Sequence, residues 1–275
     1  IPGGTPSDST KPLYYTVTGT PGDKLVTLIL PFGSFVPGQP AATVDVTAKW
    51  SNLADVEQPL NIRAAGGFRF GATPTNDFCC SPFDATIYNV PNPSDPSSWP
   101  GSASEPIIMT LSKSYVGPEG ETSTGPNFPR QFRISVDIAN GQTVSNLNFV
   151  DVLPNNIQFI GIDSVTGGGY TGSLPSTSTP GGTINITLNN PVTGTTGSSD
   201  AVLLFSFYVD RLDASSGAVL NANTGTFTTS SNSASASGPW DPIDPRDDTL
   251  PLPTASGACT APCVTFEDQS IAVQK

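Results

Sequence analysis

Two hundred and seventy-five residues leave room for two domains of ordinary size. With 27 Gly and 28 Pro against only 12% charged residues, long helices and coiled coils are excluded, while 36% hydrophobic residues, 14 Phe and 3 Trp exclude a wholly disordered chain. Eleven basic against 23 acidic side chains give a net charge of -12, which repels phosphate backbones and anionic headgroups, and no apolar run nears the ~18 residues of a membrane span.

Ile1 stands without an initiator Met, which reads as a processed product or an excised fragment. Residues 1–12 are a Gly/Pro/Ser/Thr lead-in. From residue 13 short runs rich in β-branched and aromatic residues alternate with turn clusters: Leu13 to Thr18, Lys24 to Leu30, Ala42 to Trp50 and Pro59 to Ala64. These predict an N-terminal β-sandwich over residues 13–90. Residues 91–106, with Pro91, Pro93, Pro96, Pro100 and Pro106, predict a linker, because successive prolines block helices and central-strand pairing.

The second module, residues 107–263, has cleaner alternation. Phe132, Ile134, Val136 and Ile138 alternate with Gln131, Arg133, Ser135 and Asp137, a half-buried antiparallel strand that turns Asp137 to water. Leu147, Phe149 and Leu153 define one face, with Asp151 in the same phase. Ile157 to Val165 has no clear phase. Thr183 to Leu188 and Leu203 to Val209 are further strands, the latter pointing Leu203, Phe205, Phe207 and Val209 inward. The expected fold is therefore all-β, with two immunoglobulin-like β-sandwich modules in tandem. Residues 264–275 repeat the pattern that opens the second module: Ile271 to Lys275 echoes Met109 to Lys113. They read as the first strand of a further module or a strand donated to a neighbouring subunit.

The sequence holds no His, which excludes His-dependent triads and removes the commonest zinc ligand. Its four Cys lack zinc-ribbon spacing and point to disulfides in an oxidising, extracytoplasmic setting. Cys259 and Cys263 are expected to close a small loop; Cys79 and Cys80 form either a vicinal bond or two free thiols.

Lys113 on a first strand, Asn148-Phe-Val-Asp-Val-Leu-Pro154 followed by Ile157-Gln-Phe-Ile-Gly161, and the run Thr224 to Ala236 resemble the DUF11-type conserved repeat of bacterial surface proteins. The resemblance is clearest over residues 107–275, where Glu267 to Lys275 looks like the link into a next repeat. It implies a non-enzymatic building block of an extracellular surface array, fibre or sheath, self-associating or meeting neighbouring modules, with neither nucleic acid nor membrane insertion.

Against that background one chemical possibility stands out. In several surface sandwiches of Gram-positive bacteria a first-strand Lys joins a last-strand Asn, assisted by a buried acid. Here Lys113 shares its face with Met109 and Leu111, Asp151 with Leu147 and Phe149, and Asn232 with Ala234 and Ala236, so all three are able to meet in one core. The competing reading has Lys113 snorkelling to the rim, Asp151 capping a turn and Asn232 bonding backbone groups.

The remaining motifs carry less. Asp241, Asp244, Asp247 and Asp248 form a Pro-braced acidic loop of oxygen ligands suited to a structural Ca²⁺, although the loop lacks EF-hand order and Arg246 offsets its charge. No other cofactor is implied. Trp50, Trp99 and Trp240 with Tyr14 and Tyr15 suggest an alternative role as a glycan- or protein-binding adhesin. Glu57, Glu119 and Glu121 are the carboxylates left for a hydrolase.

Overall fold

A computed structural model describes residues 14–20, 23–29, 38, 43–47, 50–51, 53–56, 58–69, 86–88, 90, 92, 94–118, 123–197, 199–210, 228–248, 250–259 and 263–268. The chain divides into two compact units, Ile1–Lys49 and Trp50–Lys275. Among the described residues there is no α-helix, and the chain is all-β.

In the first unit, β1 (Tyr14–Thr20) and β2 (Asp23–Ile29) form an antiparallel hairpin in register from Tyr14 opposite Ile29 to Thr20 opposite Asp23. β-Branched residues face one another along it, as sheet packing favours. Residues 43–47, within the strand expected over Ala42 to Trp50, join no ladder.

The second unit begins with two small ladders. β3 (Leu60–Arg63) pairs with β6 (Gly101–Ser104), and β4 (Gly67–Arg69) pairs with β5 (Thr86–Tyr88). The Pro-rich segment expected as a linker between modules thus supplies a strand inside this unit. Asp95 caps a 3-10 turn at Pro96–Ser98, where proline is tolerated because the first turn needs no N–H. The compact division falls at Lys49 and Trp50 rather than at residues 91–106.

The main body is a sandwich of two antiparallel sheets. Its first sheet contains β7 (Met109–Gly117), β8 (Arg130–Ile138), β11 (Ile157–Val165) and β15 (Ala201–Val209), in the order β11-β15-β8-β7. The facing sheet takes in β9 (Thr143–Val144), β10 (Asn148–Leu153), β12 (Tyr170–Ser173), β13 (Gly182–Leu188), β14 (Val192–Thr193) and the long β16 (Thr228–Asp241). Its order is β12-β13-β10-β16-β9-β14. Along β16 also run β17 (Thr254–Ala258) and β18 (Val264–Asp268).

Two-residue periodicity fills the space between the sheets. Phe132, Ile134, Val136 and Ile138 of β8 and Leu203, Phe205, Phe207 and Val209 of β15 are all buried, as their phase predicts. They meet Leu147, Phe149, Leu153, Ile184, Ile186 and Leu188. Each fully buried side chain of this size contributes about 1.5–3 kcal/mol relative to exposure. The unclear phase of Ile157 to Val165 has a structural cause: β11 breaks register against β15 between Phe159 and Gly161 and again between Ile162 and Ser164. Each irregularity resets the alternation.

A candidate cross-link site between the two sheets

β7 is an edge strand, and the buried-exposed alternation from Met109 turns Lys113 inward with Met109 and Leu111. On the facing sheet, β10 turns Asp151 inward between Phe149 and Leu153, and β16 does the same with Asn232, Ala234 and Ala236. Asp151 lies opposite Ala234 in the ladder, which puts Asn232 on its diagonal. The three polar residues therefore converge in the core. Lys113 Nζ donates to Asp151 Oδ2, both side chains have 0% exposure, and Asn232 is 3% exposed. Neither the snorkelling lysine nor the turn-capping aspartate is what forms; of that competing reading only the bond between Asn232 and a backbone group is present.

The electrostatics follow from burial. Desolvation lowers the Lys113 pKa from 10.5 to about 8, although the Asp151 charge and hydrogen bond oppose it. Burial likewise pushes the Asp151 carboxyl up, against the opposing pull of Lys113. Both shifts favour the neutral amine beside the neutral acid. Aromatic rings wall off the amine: the Phe132 and Phe205 ring centroids lie 4.4 and 5.4 Å from Nζ.

Asn232 completes the arrangement. Its Oδ1 accepts from the Ser233 backbone N–H at 2.7 Å, which polarises the amide carbonyl. It acts on the ionisation of Asp151, yet its Nδ2 and the Asp151 Oδ1 make no hydrogen bond of ordinary geometry. Two unsatisfied polar atoms in a dry core cost free energy, about 1–3 kcal/mol each. Chemically, the site holds a desolvated amine, a carboxyl able to carry a proton, and a polarised amide. The phases of Phe132 and Phe205 are legible in sequence, but their closeness to Lys113 depends on how the sheets face each other. The Ser233 N–H leaves no sequence signal, since every residue but proline has one.

The other predicted sites fare differently. Cys259 and Cys263 form a disulfide, as expected, with Cα atoms 5.2 Å apart. Cys79 and Cys80 lie outside the described residues, as do Glu57, Glu119 and Glu121. Among the described residues, those of the acidic loop included, no three carboxylate, Cys or His side chains gather as metal ligands. Of Asp241, Asp244, Asp247 and Asp248, Asp244 is taken by Arg246, which donates from Nη2 at 2.5 Å and from its backbone N–H at 2.9 Å. Those hydrogen bonds hold the Asp244 carboxyl below its usual range. Arg246 also pairs with Asp55 at 3.1 Å and donates to the Leu53 carbonyl at 2.7 Å, so the loop packs onto 53–55 through one guanidinium.

Trp240 is buried, its Nε1 donating to Gln142 Oε1 at 2.8 Å, and is lost to any exposed aromatic platform. Trp50 is exposed, and Trp99 closes the 3-10 turn through its backbone N–H, which donates to the Pro96 carbonyl at 3.2 Å, while its Nε1 donates to the Asn92 carbonyl at 3.3 Å. The expected donated strand is engaged within its own chain over Val264–Asp268, which pairs with Thr228–Asn232; residues 269–275 lie outside the described residues. No helix among the described residues is long and apolar enough to cross a membrane.

No family model matches the sequence, and no curated protein does. Among solved structures, the full-length major pilin SpaD from Corynebacterium diphtheriae is similar at 15% identity and a TM-score of 0.36, over 63% of this chain and 41% of the pilin. The match thus spans less than half of that protein. AvmM, which catalyses macrocyclization in alchivemycin A biosynthesis, is similar at 9% identity and a TM-score of 0.28, over 60% of this chain and 92% of that one. Neither similarity assigns a role to this chain.

Proposed function

We propose that the chain is a load-bearing building block of an extracellular bacterial surface array, fibre or sheath, and that its main sandwich is closed by an amide bond between the side chains of Lys113 and Asn232. One observation carries this reading: Lys113, Asp151 and Asn232 are buried together, with the amine paired to the acid and the amide nitrogen Nδ2 without a hydrogen bond of ordinary geometry. A buried ion pair is a poor source of stability, because desolvation offsets its attraction. A reactive role accounts for keeping it.

The reaction balances within the three residues. Lys113 passes a proton to Asp151 and becomes a neutral amine. Its Nζ attacks Cγ of Asn232, and the Ser233 N–H stabilises the charge that develops on Oδ1. Asp151 takes a second proton from the attacking nitrogen as it returns the first to Nδ2. The Nζ–Cγ bond forms, the Cγ–Nδ2 bond breaks, and ammonia leaves. Holding amine and amide against the same Asp151 carboxyl supplies the effective concentration that an amide of ordinary reactivity requires. The step happens once per molecule, so the protein turns over no external substrate in this reading.

Intact-mass spectrometry tests it. After allowing for disulfides, the mature chain is expected to be lighter than its sequence by one ammonia, with a branched peptide joining Lys113 to Asn232; Asn232→Ala is expected to restore the full mass. A parent chain of full calculated mass would overturn the cross-link.

A further inference from the structure

We infer that the Cys259–Cys263 disulfide controls this site, setting up Asn232 for reaction, so that oxidation precedes amide formation; the inference rests on the cross-link proposed above. Two strands share one edge of β16: β17 pairs with Ser235–Pro239 and β18 with Thr228–Asn232. Asn232 is itself the register partner of Val264, the residue that follows Cys263. From Ser235 to Asn232 β16 advances three residues, whereas its partner advances six, from Ala258 to Val264. The partner therefore carries surplus chain at the very place where Asn232 must be held.

The disulfide takes up that surplus. With Cα atoms 5.2 Å apart, Cys259 and Cys263 act as near neighbours along the edge. Cys259 stays on β16 through its N–H, which donates to the Ala234 carbonyl at 3.2 Å. Val264 then resumes the ladder beside Asn232. Cys259 and Val264 are both half-buried and pack against the core. One strand earlier, Gly257 approaches the Lys113 strand so closely that an added Cβ would lie 3.2 Å from the Leu111 nitrogen. The described ends of the pinched chain, Cys259 and Val264, thus pack against the same core that holds the reacting groups. Opening the disulfide to two thiols frees the surplus residues, and the ordering of β18 then has to meet a larger loop entropy. Water reaches Asn232, and Lys113 regains its charge. Closing it passes two electrons to an oxidant of the thiol–disulfide exchange class, which an extracytoplasmic setting supplies.

The test compares the parent with a Cys259→Ser/Cys263→Ser double variant, both made by cell-free synthesis under oxidising conditions, with loss of ammonia followed by intact mass over time. At least a tenfold slower reaction is expected in the double variant. Deleting Thr260 to Pro262 from that variant leaves three steps on each strand, so the surplus disappears without a disulfide and the parent's rate is expected to return. Circular dichroism verifies folding of each chain. Should the double variant fail to fold, the deletion variant decides: folded and fast supports the inference, folded but slow overturns it. A double variant that keeps pace with the parent overturns the inference alone. A parent that never loses ammonia overturns the cross-link and this inference together.

Discussion

At the scale of single residues, Lys113 and Asp151 make the reaction depend on pH in both directions. Burial lowers Lys113 to about 8 and raises Asp151, so at intermediate pH the pair shares a single proton. Above about pH 8 that proton is lost and no acid remains to protonate the departing nitrogen. Below the raised Asp151 value both groups are protonated and the nucleophile is gone. The rate of ammonia loss from freshly folded chain is therefore expected to be bell-shaped, with its alkaline limb near 8. A rate still climbing well beyond that limb would contradict it. In Asn232→Ala, which cannot cross-link, the same shift becomes a stability effect. Unfolded Lys113 holds its proton up to 10.5 and the folded residue only to about 8, so the unfolded state binds more protons between those values. Stability is then expected to rise with pH across that window, relative to the same chain carrying Lys113→Met, as read from urea midpoints. Another single contact is easily isolated: Gln142→Ala leaves the buried Trp240 N–H without its acceptor and is expected to cost about 1–3 kcal/mol by urea denaturation.

At the scale of elements, β16 organises the molecule, because it pairs with β10, β9, β17 and β18. Gly238 sits where it passes from β10 to β9. A Cβ there would lie 2.6 Å from the Ser145 carbonyl oxygen and 2.8 Å from Val144 Cγ1. Gly238→Ala is accordingly expected to destabilise by about 1–3 kcal/mol, as overpacking does, and an unchanged urea midpoint would refute this close approach. The strand phases that place Lys113, Asp151 and Asn232 inward are legible in the sequence, since each shares its alternation with two apolar neighbours. The phase of β11 is not legible, because two register breaks interrupt it. Residues 91–106 are misleading for a related reason: their prolines flank β6 without occupying it, so Gly101–Ser104 remains free to pair with β3.

At the scale of the whole molecule, the proposed bond changes how force travels. Load entering before Lys113 crosses to Asn232, and residues 114–231 are bypassed. In single-molecule pulling from the two ends, those residues are expected to add no contour length in the parent and to release ~3.3–3.6 Å each in Asn232→Ala. Equal extension in both chains would sink the mechanical reading. Closing a loop of roughly a hundred residues also restricts the unfolded state, by on the order of 4–5 kcal/mol in the chain-entropy view, so Asn232→Ala is expected to melt at lower temperature. The short spacing of Cys259 and Cys263 favours their pairing among the three that four Cys allow, and the all-β class and the buried faces of β8, β10 and β15 follow from sequence alone, because two-residue periodicity is a local property of the chain. The meeting of Lys113, Asp151 and Asn232, the capture of Asp244 by Arg246 and the position of the disulfide beside Asn232 do not. Each depends on which sheet faces which and in what register, and those are settled only when residues distant along the chain pack together.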